Sequence, residues 1–383
     1  RLRRTALRGH ATERALRGSS ANQHAETRGA PGLGIAGYEK TIVMSTSSFR
    51  VRLALVVAAG LAVIIAVVLI RPIARVMASK VPLKIVAIVA LPGAPTRFDY
   101  ESLDPKTNLL FLAHLAASTV VVYDVKRDRV VATIPGLPDV HGVLAVPSLG
   151  RVYATATGAN EVAVIDERSR AIVARIPAGA YPDGMAYDPD DAKLYVSDEN
   201  GGTESVIDTK KNVRVATIPI GGDVGNTQYD ASSHRILVND QSRGDLVAID
   251  PRSDTIVARY PIRGCASNHG LVLDSPHRRA YIACEGNAKL VVFDLKTLKQ
   301  SKVFDVGVDP DVLAYDASTG RLYVATESGI DSIFASTASG LAKLGEAFVG
   351  IDAHIVAFDP RTHRLYFPVL DIAGPRMLVA EPR

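Results

Sequence analysis

The chain has 383 residues, two cysteines, no tryptophan and a formal net charge of +4. Of its 44 Lys/Arg and 40 Asp/Glu, 13 and 3 fall in residues 1–80, leaving 31 against 37 beyond them. The basic balance therefore belongs to the leader. A remainder near −6 lacks the broad positive surface that neutralising phosphates demands, which argues against nucleic acid as its main partner.

Residues 1–43 are rich in Arg, Ala, Gly and Ser without sustained apolar periodicity, the composition of a disordered segment. Met44 and the Ser-Thr-Ser-Ser-Phe-Arg that follows have the form of a start, so residues 1–43 read as a possible non-native extension. Within residues 44–80, Leu53 to Ile70 form 18 consecutive uncharged positions, flanked by Arg50, Arg52, Arg71 and Arg75. That length can span a bilayer, while Val76, Met77 and Ala78 offer small residues for signal cleavage. Membrane anchor through residues 53–70 and cleaved signal peptide both remain open. Either one exports the domain that follows, to a periplasmic or extracellular location.

Within a domain of residues 81–383, one pattern recurs between residues 98 and 383: an apolar strand ending in Asp, a turn, a strand opening with Tyr, a strand ending in Ile-Asp or similar, and a strand running into Pro and Gly. The ends of the first strands fall at Asp104, Val146, Asp188, Asp230, Asp274, Asp316 and Asp359, at spacings of 42, 42, 42, 44, 42 and 43. Seven marks at this period, with four β-branched runs between them, predict an all-β, seven-bladed propeller of four-stranded blades. The last repeat has three strands, and Lys84 to Gly93 resembles a fourth with no blade before it. The N-terminal strand is therefore predicted to complete blade seven beside residues 377–381, removing a free edge. Blade six departs from the pattern, with Ser332-Ile-Phe-Ala where an Asp-ending strand is expected.

The Leu-Tyr-Val cores at 194–196 and 322–324, the Val-Ile-Asp endings and the Ala-Thr-Ile-Pro strands resemble the YVTN-repeat, YncE-like propellers over roughly residues 84–383. The resemblance implies an exported binding propeller. Related propellers also serve as lactonases, lyases and cofactor-bearing oxidoreductases, so the fold alone does not choose between them.

Five residues before each mark stand Asp99, His141, Asp183, Gly225, His269, Asp311 and His354, six of them ionisable and all at the start of a first strand. They are predicted to converge on the channel mouth at the top face. Two readings follow. In one, each imidazole bonds the next carboxylate and pins neighbouring blades. In the other, the mouth holds a polar ligand or a divalent metal ion, with His141, His269 and His354 as the metal ligands. A second column, four residues after the opening of each second strand, supplies Glu199, Gln241, Glu285 and Glu327 to the same face, either as ligand contacts or as solvated loop groups. Gly225 and Asn226 are expected to leave a notch beside Asp183, Glu199 and Gln241. Cys265 and Cys284 fall together in blade five, and Cys284 is expected opposite about Gly270, within reach for a disulfide.

No nucleophile elbow, zinc-protease helix or phosphate loop is present. The function expected is therefore non-catalytic binding of a protein, peptide or small polar ligand at the top face. The alternative is a metal-assisted, lactonase-like hydrolase or lyase, with Glu199 or Glu285 as acid or base.

Overall fold

The computed structural model describes residues 82–383. The leader, including Leu53 to Ile70, lies outside them; among the described residues no helix is long and apolar enough to cross a membrane. The described residues form seven four-stranded antiparallel sheets arranged as a propeller. Blade one runs from Phe98–Asp104 through Arg129–Pro135, and the next five repeat the order first, second, third and fourth strand outward. Blade seven takes its outermost strand from the opposite end of the chain. Leu83–Ala90 pairs antiparallel with Arg376–Pro382, Lys84 opposite Glu381 and Val89 opposite Met377.

The aspartates that end strands explain why the repeat has its period. Each caps the turn that follows: Asp104 accepts the backbone N–H of Lys106 at 2.6 Å, Asp188 that of Asp190 at 2.9 Å, and Asp208 those of Lys210 and Lys211 at 2.9 and 3.0 Å. An aspartate in this place satisfies donors that a tight turn would leave unpaired. Blade six has no such aspartate on its third strand. That strand, Ile330–Thr337, instead runs on to a turn in which Thr337 pairs with Gly340, leaving only Ala338 and Ser339 to connect it.

The core lies in the seams between blades. Each of seven apolar clusters joins two neighbouring blades: Tyr153 of blade two packs with Leu194 and Val196 of blade three, and Tyr366 of blade seven with Leu110 and Leu112 of blade one. Tyr153, Tyr195, Tyr281, Tyr323 and Tyr366 are all fully buried there. Some keep their hydroxyls satisfied, Tyr195 by Asp254 at 2.6 Å and Tyr281 by Asp274 at 2.8 Å, as buried phenols generally require.

Blade five carries a disulfide between Cys265 and Cys284, with Cα atoms 5.2 Å apart. Cys284 pairs with Asn268 rather than with Gly270, because a bulge between Asn268 and Leu271 shifts the register at the start of the first strand. Replacing both cysteines with Ala should lower stability to urea by roughly 3 kcal/mol, the chain-entropy value for a loop of this length. A loss below about 1 kcal/mol would show that the bond does little to confine the unfolded chain.

Three carboxyl groups are enclosed by the blades. Burial holds Glu101, Glu204 and Asp331 well above the usual carboxylate range, and both Asp331 oxygens lack a hydrogen-bond partner. The folded chain therefore keeps protons that the unfolded chain releases above its ordinary carboxyl pKa, so these groups lower stability progressively as pH rises. Asp331→Asn should flatten this dependence: from about pH 5 to about pH 8 its thermal midpoint should fall less than that of the wild type. Parallel curves for the two proteins would contradict the assignment.

Candidate functional site

The first strands begin at the channel, and the residues near their starts line one mouth, except that His354 precedes blade seven's short first strand, Ala357–Phe358, and is not in the cavity wall. A cavity of about 360 Å³ there is walled by Asp99, His141, Asp183, His269 and Asp311 from the first-strand column, and by Glu199 and Glu285 from the loops after second strands. Arg97, Tyr100, Leu115 and Tyr181 complete it. Gln241 reaches the same network, its Nε2 donating to Glu199 Oε1 at 3.0 Å and lying 3.1 Å from His269 Nδ1. Glu327 lies further out, where it accepts from Arg97 at 2.5 Å and remains largely exposed.

Glycines make this convergence possible. A Cβ on Gly142 would lie 2.1 Å from the Asp183 carbonyl oxygen, and one on Gly270 would lie 1.9 Å from that of Asp311. The backbone of the following blade passes where a side chain would stand, so the ring can close tightly only with glycine at these positions.

The ring is not held by direct His–Asp hydrogen bonds. His141 Nε2 stands 3.9 Å from Asp99, and His269 Nε2 stands 3.8 Å from Asp183 and 3.5 Å from Asp311, which are ion-pair distances. Each imidazole finds other partners. His141 bonds the Asp139 carbonyl at 2.8 Å and the Tyr181 hydroxyl at 2.9 Å, while His354 Nδ1 bonds the Asp352 carbonyl at 2.9 Å. Nor do the three histidines form one ligand set. The mouth groups whose donor atoms lie within 4.8 Å of one another combine a single histidine with two carboxyls: Asp99, Asp311 and His354, and separately His269, Glu285 and Asp311. His141 belongs to neither.

Two residues at the centre of the mouth escaped the sequence reading. Tyr100 crosses from blade one to donate to Asp183 Oδ2 at 3.0 Å, touches Asn226 Oδ1, and lies 3.2 Å from His269 Nε2. Its hydroxyl thus fills the notch expected beside Gly225 and Asn226, where a Cβ on Gly225 would in any case meet the His269 backbone at 2.8 Å. Tyr100 also lines a second channel cavity of about 410 Å³ below, and so stands between the two. The signal lay in the column: the position after the ring holds glycine in blades two, three and five, and Tyr only in blade one. Arg97 is the other, the lone basic residue two positions before the ring. It lies 3.4 Å from Asp311, 3.9 Å from Asp352 and 4.0 Å from Asp99.

Crowding sets the electrostatics. Burial, with Asp183 and Asp311 nearby, holds Asp99 well above the usual carboxylate range; burial and Asp183 raise Glu199. Burial brings Glu285 up to about 7, against the pull of His269. Burial opposes charge on His269, but Glu285, Asp311, Asp183 and Glu199 outweigh it and bring that imidazole up to about 9. Burial likewise opposes charge on His354, and Asp352, Asp311 and Asp99 raise it to about 9. The mouth therefore has an excess of acid that draws cations and holds protons.

Not every residue near the mouth serves it. His114 stacks on Phe98 and bonds Thr96 at 2.8 Å; Asp198 accepts from Gly179, Thr203 and Ser205; Asp240 pairs with Arg259 at 2.9 Å. These three secure loops within and between blades.

No protein-family model and no curated protein matches the chain, so the YVTN-type resemblance stands on its repeat residues alone. Solved structures do match in fold. A chain of the Kuenenia stuttgartiensis hydrazine synthase superposes with a TM-score of 0.65 at 15% identity, covering 75% of this chain and 96% of that one. A chain of a mitotic checkpoint complex superposes with a TM-score of 0.66 at 12% identity, covering 78% and 91%. At these identities the likeness establishes the propeller fold and carries no activity with it.

The Tyr100 hydroxyl should hold the mouth together. Tyr100→Phe is expected to cost about 1–2 kcal/mol in urea unfolding, since it leaves the buried acceptors Asp183 and Asn226 without their donor. Unchanged stability would mean that water replaces the hydroxyl at no cost.

Proposed function

We propose that the chain is an exported binding propeller whose top-face mouth takes a small polar ligand bearing a positive charge and leaves it chemically unchanged. The observation that carries this reading is the composition of the mouth. Asp99, Asp183, Asp311, Glu199 and Glu285 face one cavity in which Arg97 is the only permanent cation, and Arg97 is already engaged by Glu327 and Asp311. A ligand ammonium or guanidinium group placed there offsets carboxylate repulsion beyond what Arg97 and retained protons relieve. A volume of about 360 Å³ suits a small molecule or a single side chain presented by a peptide or protein. Export draws its support from the apolar run at residues 53–70 and from the disulfide, a bond characteristic of oxidising compartments.

One observation favours the rival hydrolase or lyase. Glu285, brought to about 7 and set 3.9 Å from His269 Nδ1, has the proton affinity that general acid–base chemistry uses near neutrality.

Calorimetric titration separates the two. Spermidine and arginine should bind the wild-type chain and weaken by about tenfold or more in Asp183→Asn, whereas succinate should not bind. Succinate binding as tightly as spermidine would overturn the cationic-ligand reading. Hydrolysis of a simple lactone that is lost in Glu285→Gln would replace it with the enzymatic one.

A further inference from the structure

On the blade one, six and seven side of the mouth, Asp99, Asp311 and His354 bring one donor atom each within 4.8 Å of one another. All three are buried, at 4%, 5% and 1% exposure. Two of their atoms have no hydrogen-bond partner. His354 Nδ1 is committed to the Asp352 carbonyl, which fixes that ring nitrogen as the donor and leaves Nε2 enclosed with no hydrogen-bond partner. Asp311 Oδ1 is likewise enclosed and accepts no hydrogen bond, its nearest cationic group being His269 Nε2 at 3.5 Å, while Arg97 is 3.4 Å from its other oxygen. An imidazole whose second nitrogen donates to a backbone carbonyl is the arrangement by which proteins orient a metal-ligating histidine.

We propose that Asp99, Asp311 and His354 bind one divalent first-row transition ion of the Zn²⁺ and Co²⁺ kind, a proposal that rests on the mouth being a cation site and names its occupant. One nitrogen and two carboxylate oxygens suit such an ion, which takes four or more ligands and completes its sphere with water from the cavity. Ca²⁺ needs six to eight oxygens and finds too few here. The choice of this set over its neighbours follows from partnering. His269 has Gln241 at 3.1 Å and Tyr100 at 3.2 Å on its two nitrogens. On the opposite face, His234 of the Asp188, Asp190 and His234 cluster is engaged by Tyr229 at 2.9 Å and Asp191 at 3.2 Å. Among the described residues, only His354 of these clusters presents to a pair of carboxyls an enclosed nitrogen without a hydrogen-bond partner.

The test is titration of the metal-stripped chain, residues 81–383 with the disulfide intact, with Zn²⁺ followed by calorimetry and Co²⁺ by its visible absorption. One ion per chain is expected, Ca²⁺ failing to compete. His354→Ala and Asp311→Asn should each weaken Zn²⁺ by about 100-fold or more, while His234→Ala leaves it within about threefold. Circular dichroism and a thermal midpoint establish that each variant is folded, and His354→Gln replaces His354→Ala should the latter fail to fold. Loss of binding in His234→Ala, or binding that survives both His354→Ala and Asp311→Asn, overturns the assignment. Spermidine binding without any Zn²⁺ binding defeats the metal and leaves the cationic-ligand reading standing; absence of both defeats the two together.

Discussion

The architecture depends on one antiparallel pairing, that of Leu83–Ala90 with Arg376–Pro382. Seven blades each bury a face against the next, and the sequence of seams closes only if blade seven is complete. Without its outermost strand, Arg376–Pro382 would become an open edge, and the cluster that joins blades six and seven, Leu378 included, would lose Leu83. The same closure fixes the mouth. Asp99 belongs to blade one and His354 to blade seven, so their approach requires that residues 255 positions apart in the chain be brought to one seam.

At the mouth, packing and electrostatics oppose each other. Glycines let the backbones converge so closely that ionisable side chains have little room to separate, and the cost of that crowding appears as carboxyls held above their usual range and imidazoles held charged. A protein selected only for stability would fill such a position with apolar side chains, since buried charge seldom repays its desolvation. Concentrated acid on the axis is therefore best understood as a binding feature, carried by a scaffold whose stability resides elsewhere, in the seams and their tyrosines.

The fold was legible because its signals are local and repeat. Asp188 caps its own turn, Tyr195 fills its own seam, and the same solution recurs at a period of about 42 residues; blade count and ring closure followed from that repetition. The ring residues were legible as a column for the same reason. What lay beyond reach was the detail that differs from blade to blade. Tyr100 and Arg97 act across the axis on blades three to seven, and within its own repeat Arg97 has only Asp99, at 4.0 Å. The grouping of His354 with two aspartates rather than with His141 and His269 depends on ring orientation, which Asp352 sets from a turn outside the column. Blade six was flagged by its missing aspartate, and the structure resolves the reason in a shorter turn.

The closing strand has a mechanical side as well. Its first residues lie where third strands end, on the face opposite the mouth, and Pro82 accepts the backbone N–H of Arg383 there at 2.7 Å. The described chain thus starts on the underside, away from the acidic opening. Tension applied at residue 82 would load the ladder from one end, rung by rung from Leu83 opposite Pro382, and would peel this strand from blade seven before it reached the other six.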